Sequence, residues 1–154
     1  MTFTARPIAP FSADILSVGN PSSYTAGQQI PVTGTPSKTN ATVSSGQFTL
    51  PAGSHWRIEL SVNFLGDPTT GSAAFEFQFY SITDSAYVGQ SGWGSGNSTA
   101  GDSRKGRVCC TALVLNSEIT TSKTIEARLI SSIDTADGAA YIGTNNLRIM
   151  ELPA

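Results

Sequence analysis

A chain of 154 residues is long enough to bury roughly two-thirds of the surface its unfolded form would expose, so one core suffices. Only 13% of the residues are charged, the net charge is −2, and the nine Lys and Arg are scattered, so no basic field exists for a phosphate backbone and nucleic acid is excluded as an expected partner. No run of about 18 apolar residues is present and residues 1–11 (MTFTARPIAPF) lack the apolar centre of a secretory signal, so no membrane span is expected and the chain reads as soluble and made in place.

Residues 1–10 carry two prolines and little periodicity, which predicts an extended N-terminal arm followed by a β domain over 11–154. Residues 11–18 (FSADILSV) read as a first strand, and 19–28 as a loop through Asn20-Pro21 and Gly27. A short strand is expected at 29–33, between Gln29 and Gly34, then short pieces at 41–44 and 47–50 around Gly46. Pro51-Ala52-Gly53 turns the chain into its most regular segment. There Trp56, Ile58, Leu60, Val62 and Phe64 alternate with His55, Arg57, Glu59, Ser61 and Asn63. A period of two places the large apolar groups on one face and the polar ones on the other, which is a half-buried antiparallel strand.

Residues 66–71 (GDPTTG) read as a loop, and 74–82 as a core strand in which Phe75, Phe77 and Phe79 alternate with Glu76, Gln78 and Tyr80. A short strand is expected at 86–90. The glycine-rich run 91–103 (SGWGSGNSTAGDS) predicts an exposed loop holding Trp93 and Asn97. Residues 107–115 (RVCCTALVL) are apolar on both faces at their far end, a sign of a second covered face. Strands at 124–130, 139–143 and 147–152 complete the pattern. About eight to ten strands with regular turn signals and no 3.6 period predict an all-β antiparallel sandwich, taken here as a jelly roll.

Catalytic and metal chemistry find little footing. His55 lies at a strand start with Arg57 and Glu59 on its face and reads as a surface histidine. Cys109 and Cys110 are adjacent, so on a strand they point to opposite faces and are expected as free thiols in a reducing compartment. One histidine with two adjacent cysteines lacks the spaced pairs of a zinc site, and Asp134, Asp137 and Gly138 lack the run of oxygen ligands of a calcium loop. Gly92-Trp93-Gly94-Ser95-Gly96 has no strand-to-helix context for a nucleophilic serine. No catalytic residue, metal or cofactor is expected. Trp93 reads either as a partner- or sugar-stacking anchor or as a residue folded back on the sandwich. Asn40-Ala41-Thr42 and Asn97-Ser98-Thr99 fit the glycosylation pattern and read as plain loop asparagines in a chain without a secretory signal. Arg107, Glu126, Arg128, Arg148 and Glu151 stand in otherwise apolar late strands, where buried charge needs a partner, either across subunits or across neighbouring strands of one chain.

Phe11-Ser12-Ala13, the stretch Ser45-Gly46-Gln47-Phe48-Thr49-Leu50-Pro51-Ala52-Gly53, and the close from Ala140-Tyr141-Ile142-Gly143 to Leu147-Arg148-Ile149-Met150-Glu151-Leu152 together resemble the C1q and tumour necrosis factor superfamily of trimeric jelly rolls, in the form met on bacteriophage heads, fibres and tail tips. The resemblance runs from about residue 11 to 152. It implies a homotrimer buried near its threefold axis through Leu113, Leu115, Leu147 and Ile149. It further implies a non-enzymatic virion protein on the capsid surface, made in the host cytoplasm. In this reading the trimer is a capsid decoration (cement) protein whose arm, with Phe3, Arg6, Pro7, Ile8 and Pro10, lies along the major capsid protein or another virion protein. The alternative is a receptor- or glycan-binding head of a tail tip or fibre, using the loops at 66–71 and 91–103 with Trp93 and Asn97 as the ligand-binding residues.

Overall fold

The computed structural model describes residues 12–19, 25–66, 71–98, 104–114, 120–133, 141–142 and 145–152. Every regular element among them is a strand: β1 (Ser12–Val18), β2 (Gln29–Ile30), β3 (Val32–Thr33), β4 (Thr42–Ser44), β5 (Gln47–Leu50), β6 (His55–Gly66), β7 (Gly71–Ser81), β8 (Ala86–Ser98), β9 (Arg104–Val114), β10 (Lys123–Ile133), β11 (Tyr141–Ile142) and β12 (Asn145–Leu152). All the pairings are antiparallel. One sheet runs β3-β1-β12-β6-β9 with β11 beside β6, and the other runs β4-β5-β10-β7-β8 with β2 beside β10. They meet where Gln90 of β8 pairs with Thr111 of β9.

The expected alternation of β6 is realised: Trp56, Ile58, Leu60 and Val62 are buried, with Arg57 exposed and Glu59 half-buried between them. On the facing sheet Phe75, Phe77 and Phe79 are fully buried. Phe48, Leu50, Ile125, Ala127 and Leu129 join them, while Leu16, Val18, Leu147 and Ile149 complete the first sheet's inner surface. Two apolar faces closing on each other in this way make an all-β sandwich. Aromatic order adds to the burial, with Phe48 set edge-on to Phe79 at 6.1 Å and Phe75 stacked on Phe77 at 6.1 Å.

Leu147 and Ile149 were expected at a threefold interface, and here the structure corrects the reading. Both are fully buried inside a single chain, facing the second sheet. The same alternation that marks an apolar face leaves open what covers it, and in this chain the cover is its own phenylalanine layer. Leu113 lies in β9 opposite Arg57, its side chain outside the described set, and Leu115 lies outside the described residues.

The strand expected at 29–33 splits at Pro31. Gln29–Ile30 pairs with Ala127 and Arg128 of β10, whereas Val32–Thr33 pairs with Ser17 and Val18 of β1 in the other sheet. Proline has no N–H to donate, so the crossover falls where a ladder bond would be missing in any case. Its carbonyl accepts the Gly19 N–H at 2.9 Å. Beneath it, β4 and β5 are joined by Ser45-Gly46, both with positive φ (53° and 76°), as in a two-residue type I′ hairpin. A Cβ at Gly46 would come within 3.2 Å of the Pro31 Cα, so both its φ and its close contact require glycine.

The largest departure from expectation is β8. A loop was expected at 91–103, yet the strand runs without a break from Ala86 to Ser98, all along β7. Glycine at 92, 94 and 96 leaves the inward positions without the apolar side chains by which a strand is recognised, while β7 still supplies main-chain partners. The glycines also have a packing role. Gly92 stands opposite Phe77 and Gly94 opposite Phe75, and bare positions across from large rings leave the volume that the rings occupy. Residues 99–103 lie outside the described residues, as do 67–70 of the expected loop at 66–71.

Candidate functional site

The residues singled out by sequence fall into separate places. His55 opens β6 opposite Leu152 and is half-buried. Cys109 and Cys110 occupy β9 opposite Ser61 and Leu60, with side chains outside the described set. The arm at 1–10 with Phe3, Arg6, Pro7, Ile8 and Pro10, together with Phe11, Asp134, Asp137 and Gly138, lies outside the described residues. Among the described residues no group of three or more His, Cys, Asp and Glu is placed to hold a metal ion, and no helix is long and apolar enough to cross a membrane.

What the fold does assemble is a polar and aromatic face on the outside of the second sheet. Because Phe75, Phe77 and Phe79 point inward, Glu76, Gln78 and Tyr80 point outward, and their partners on β8 share that face. Trp93 stands opposite Glu76 and Tyr87 opposite Tyr80. Both are exposed, Trp93 at 61% and Tyr87 at 47%. Trp93 is therefore a fixed strand residue and not a loop anchor. Asn97, four positions along, has its backbone opposite Ser72.

Packing fixes the face at its Tyr end. Tyr87 meets Tyr80 edge-on at 5.1 Å, and the Arg128 guanidinium from β10 lies 3.5 Å from the centre of the Tyr80 ring. Arg128 Nε donates to Glu126 at 2.5 Å, and Gln47 Nε2 donates to the other Glu126 oxygen at 3.1 Å. Glu126 is nearly fully buried, so these partners are what make its charge tolerable. Burial pushes the Arg128 pKa down, but the hydrogen bond and charge of Glu126, with Tyr80 assisting, outweigh it and raise the group above its ordinary value. The pair sits two residues apart on one strand, a same-face spacing readable in the sequence. Between Phe77 and Phe79 the register with β8 shifts, and Gly89 at φ 74° takes up the bulge while its carbonyl accepts Gln78 Nε2 at 2.7 Å.

The other late-strand charges also find partners in their own chain. Glu59 bonds Arg57 at 2.5 Å and lies 4.0 Å from Arg148, and Glu151 accepts from Asn40 and Ser54. The Arg107 side chain is outside the described set. Asp14 on β1 is buried, and its carboxylate accepts the N–H groups of Ser37, Lys38 and Thr39. Two carboxylates on neighbouring strands thus pin the segment at 37–40 to the first sheet. Beside it opens a cleft of about 410 Å³ bordered by Ile15, Lys38 and Arg148. Ile15 is 69% exposed on the outer face of this sheet, a large apolar group that sequence periodicity alone did not separate from its buried neighbour Leu16.

No protein-family model matches the chain, and no curated protein matches it.

Proposed function

We propose that the chain is a non-enzymatic structural protein of a bacteriophage virion, a homotrimeric jelly roll of the C1q and tumour necrosis factor type that decorates the capsid. The observation that supports the jelly-roll part of this reading is the order of strands. The sequence β5, β6, β7, β8, β9, β10, β12 distributes between the layers so that β5 lies beside β10, β7 beside β8 and β10, and β6 between β12 and β9. That interleaving supports the two nested Greek keys of a jelly roll. The motifs around Phe48 and Leu152 support the same family, and the low surface charge suits close packing against neighbouring subunits and a shell.

With Leu147 and Ile149 committed to the core, Ile15 takes their place as the residue of the first sheet's outer face that a second copy would cover. The arm at 1–10 would then lie along the major capsid protein. Two measurements test the proposal together: the solution mass of the purified chain, and the number of copies on the purified particle with and without residues 1–10. A trimer present in many copies, lost from the particle when the arm is deleted, is the expected result. A monomer that remains single at micromolar concentration and attaches to no particle would end the proposal.

The exposure of Trp93 favours a second reading, a recognition head at a tail tip or fibre. A few copies per particle, with adsorption to the host lost in Trp93→Ala, would favour that reading over capsid decoration.

A further inference from the structure

We infer that the outer face of the second sheet is a binding platform for a neutral glycan, with Trp93 and Tyr87 as its stacking surfaces and the groups between them as its hydrogen-bonding floor. Glu76 and Tyr80, the partners of these two rings, stand four residues apart on β7, so the rings are about 13 Å apart along the strand. Between them lie Gln78, and Gly89 with no side chain to block the path.

The chemistry of the face selects the ligand. A pyranose ring has an apolar face of C–H groups that packs on an indole or phenol and a rim of hydroxyls that both donate and accept. Gln78 donates one N–H to the Gly89 carbonyl, and its amide has a second N–H and an oxygen of the kind such a rim takes. Glu76 accepts Ser131 Oγ at 3.2 Å through one carboxylate oxygen, and a carboxylate has room for more than one donor. Charge complementarity argues against a polyanion. Arg128, the cation that the described residues place on this face, is already held by Glu126 and lies over Tyr80, while Glu76 would repel phosphate or sulfate. An apolar protein surface fits poorly as well, because it would bury Gln78 and Glu76 between the two rings. The Tyr80 and Arg128 packing holds Tyr87 in place before any ligand arrives, which lowers the ordering cost of binding.

The assignment does not depend on the capsid reading, and its test uses the purified full-length chain without particles, so either can fail alone. The chain is run by native gel electrophoresis through hydroxyethyl cellulose, laminarin, dextran or dextran sulfate, in parallel with Trp93→Ala, Tyr87→Ala and Gln78→Ala. Trp93 and Tyr87 are exposed, so their loss is expected to change stability little, and a thermal melt of each variant, including the half-buried Gln78, checks that the fold is kept. Retardation of the native chain in a neutral polysaccharide, weakened about tenfold by loss of either ring, is the expected result; a tenfold change is about 1.4 kcal/mol. No retardation in any neutral polysaccharide overturns the inference, as does retardation unchanged in Trp93→Ala. Retardation in dextran sulfate alone overturns it in favour of a polyanion surface. A fall in oligomer mass in Trp93→Ala overturns it in favour of an interface between copies.

Discussion

The Asp14 carboxylate accepts both the N–H and the hydroxyl of Thr39, each at 2.7 Å, so that one buried acid on β1 fixes the conformation of a segment 25 residues further along. Burial pushes the Asp14 carboxyl up, but the N–H of Ser37, the Thr39 hydroxyl and the N–H groups of Thr39 and Lys38 outweigh it and hold it below its ordinary value. Glu151 follows the same pattern, with burial opposed and outweighed by the N–H and side chain of Asn40 and by Ser54.

Acid should therefore weaken the fold through these two groups. Each binds its proton less readily when folded than when unfolded, so its stabilisation is complete above the ordinary carboxylate range of about pH 4 to 4.5 and is lost as the pH falls through the lower folded values. Asp14→Ala removes the acceptor of several backbone donors at once and is expected to cost about 3 kcal/mol at pH 7. Urea denaturation of the native chain and the variant at pH 7 and pH 3 measures this. The gap between the two should narrow at pH 3, and a constant gap would show that the Asp14 charge is not responsible.

Leu147→Ala and Ile149→Ala should each cost about 2 to 5 kcal/mol, because both side chains fill the core of one chain. The loss should appear in the denaturation midpoint of the isolated chain at every protein concentration. If either variant kept its stability and instead changed the mass seen by light scattering, the placement of these residues in the intrachain core would be wrong.

Arg128→Met should cost about 3 kcal/mol, since among the described residues it leaves Gln47 as the side-chain partner of buried Glu126. Adding Glu126→Gln removes the stranded charge and should recover a large part of that loss. A double-mutant cycle reads the coupling directly, and strictly additive effects would argue that the two residues do not act as a pair.

The sequence made some of this architecture plain because the relevant signal is carried by side chains. Alternation in β6 and β7 marked the inner faces of both sheets, and the Pro51 turn is tied to β6 where Trp56 Nε1 donates to the Pro51 carbonyl at 3.1 Å. The half of β8 beyond Gln90 is hard to read because its alternation sets Gly92, Gly94 and Gly96 against Trp93, Ser95 and Asn97, so the inward positions carry no apolar side chain to mark a core face. Trp93 stands out in the sequence as a candidate contact residue, but its place on a strand is not legible for that reason. Tyr87, Gln78 and Glu76 were not connected with it, since only the register between β7 and β8 brings them to one face. Leu147 and Ile149 show the opposite difficulty, where periodicity marks a covered face without saying which layer covers it.

The ribbon from Gln29 to Thr33 hydrogen-bonds to β10 on one side of Pro31 and to β1 on the other. It works as a hasp across the open flank of the sandwich. Separating the two layers at this flank requires breaking one of these two pairings, which couples their opening. A chain built this way is expected to resist partial opening, and with it the transient bare strand edges at which proteases and stray β pairing begin.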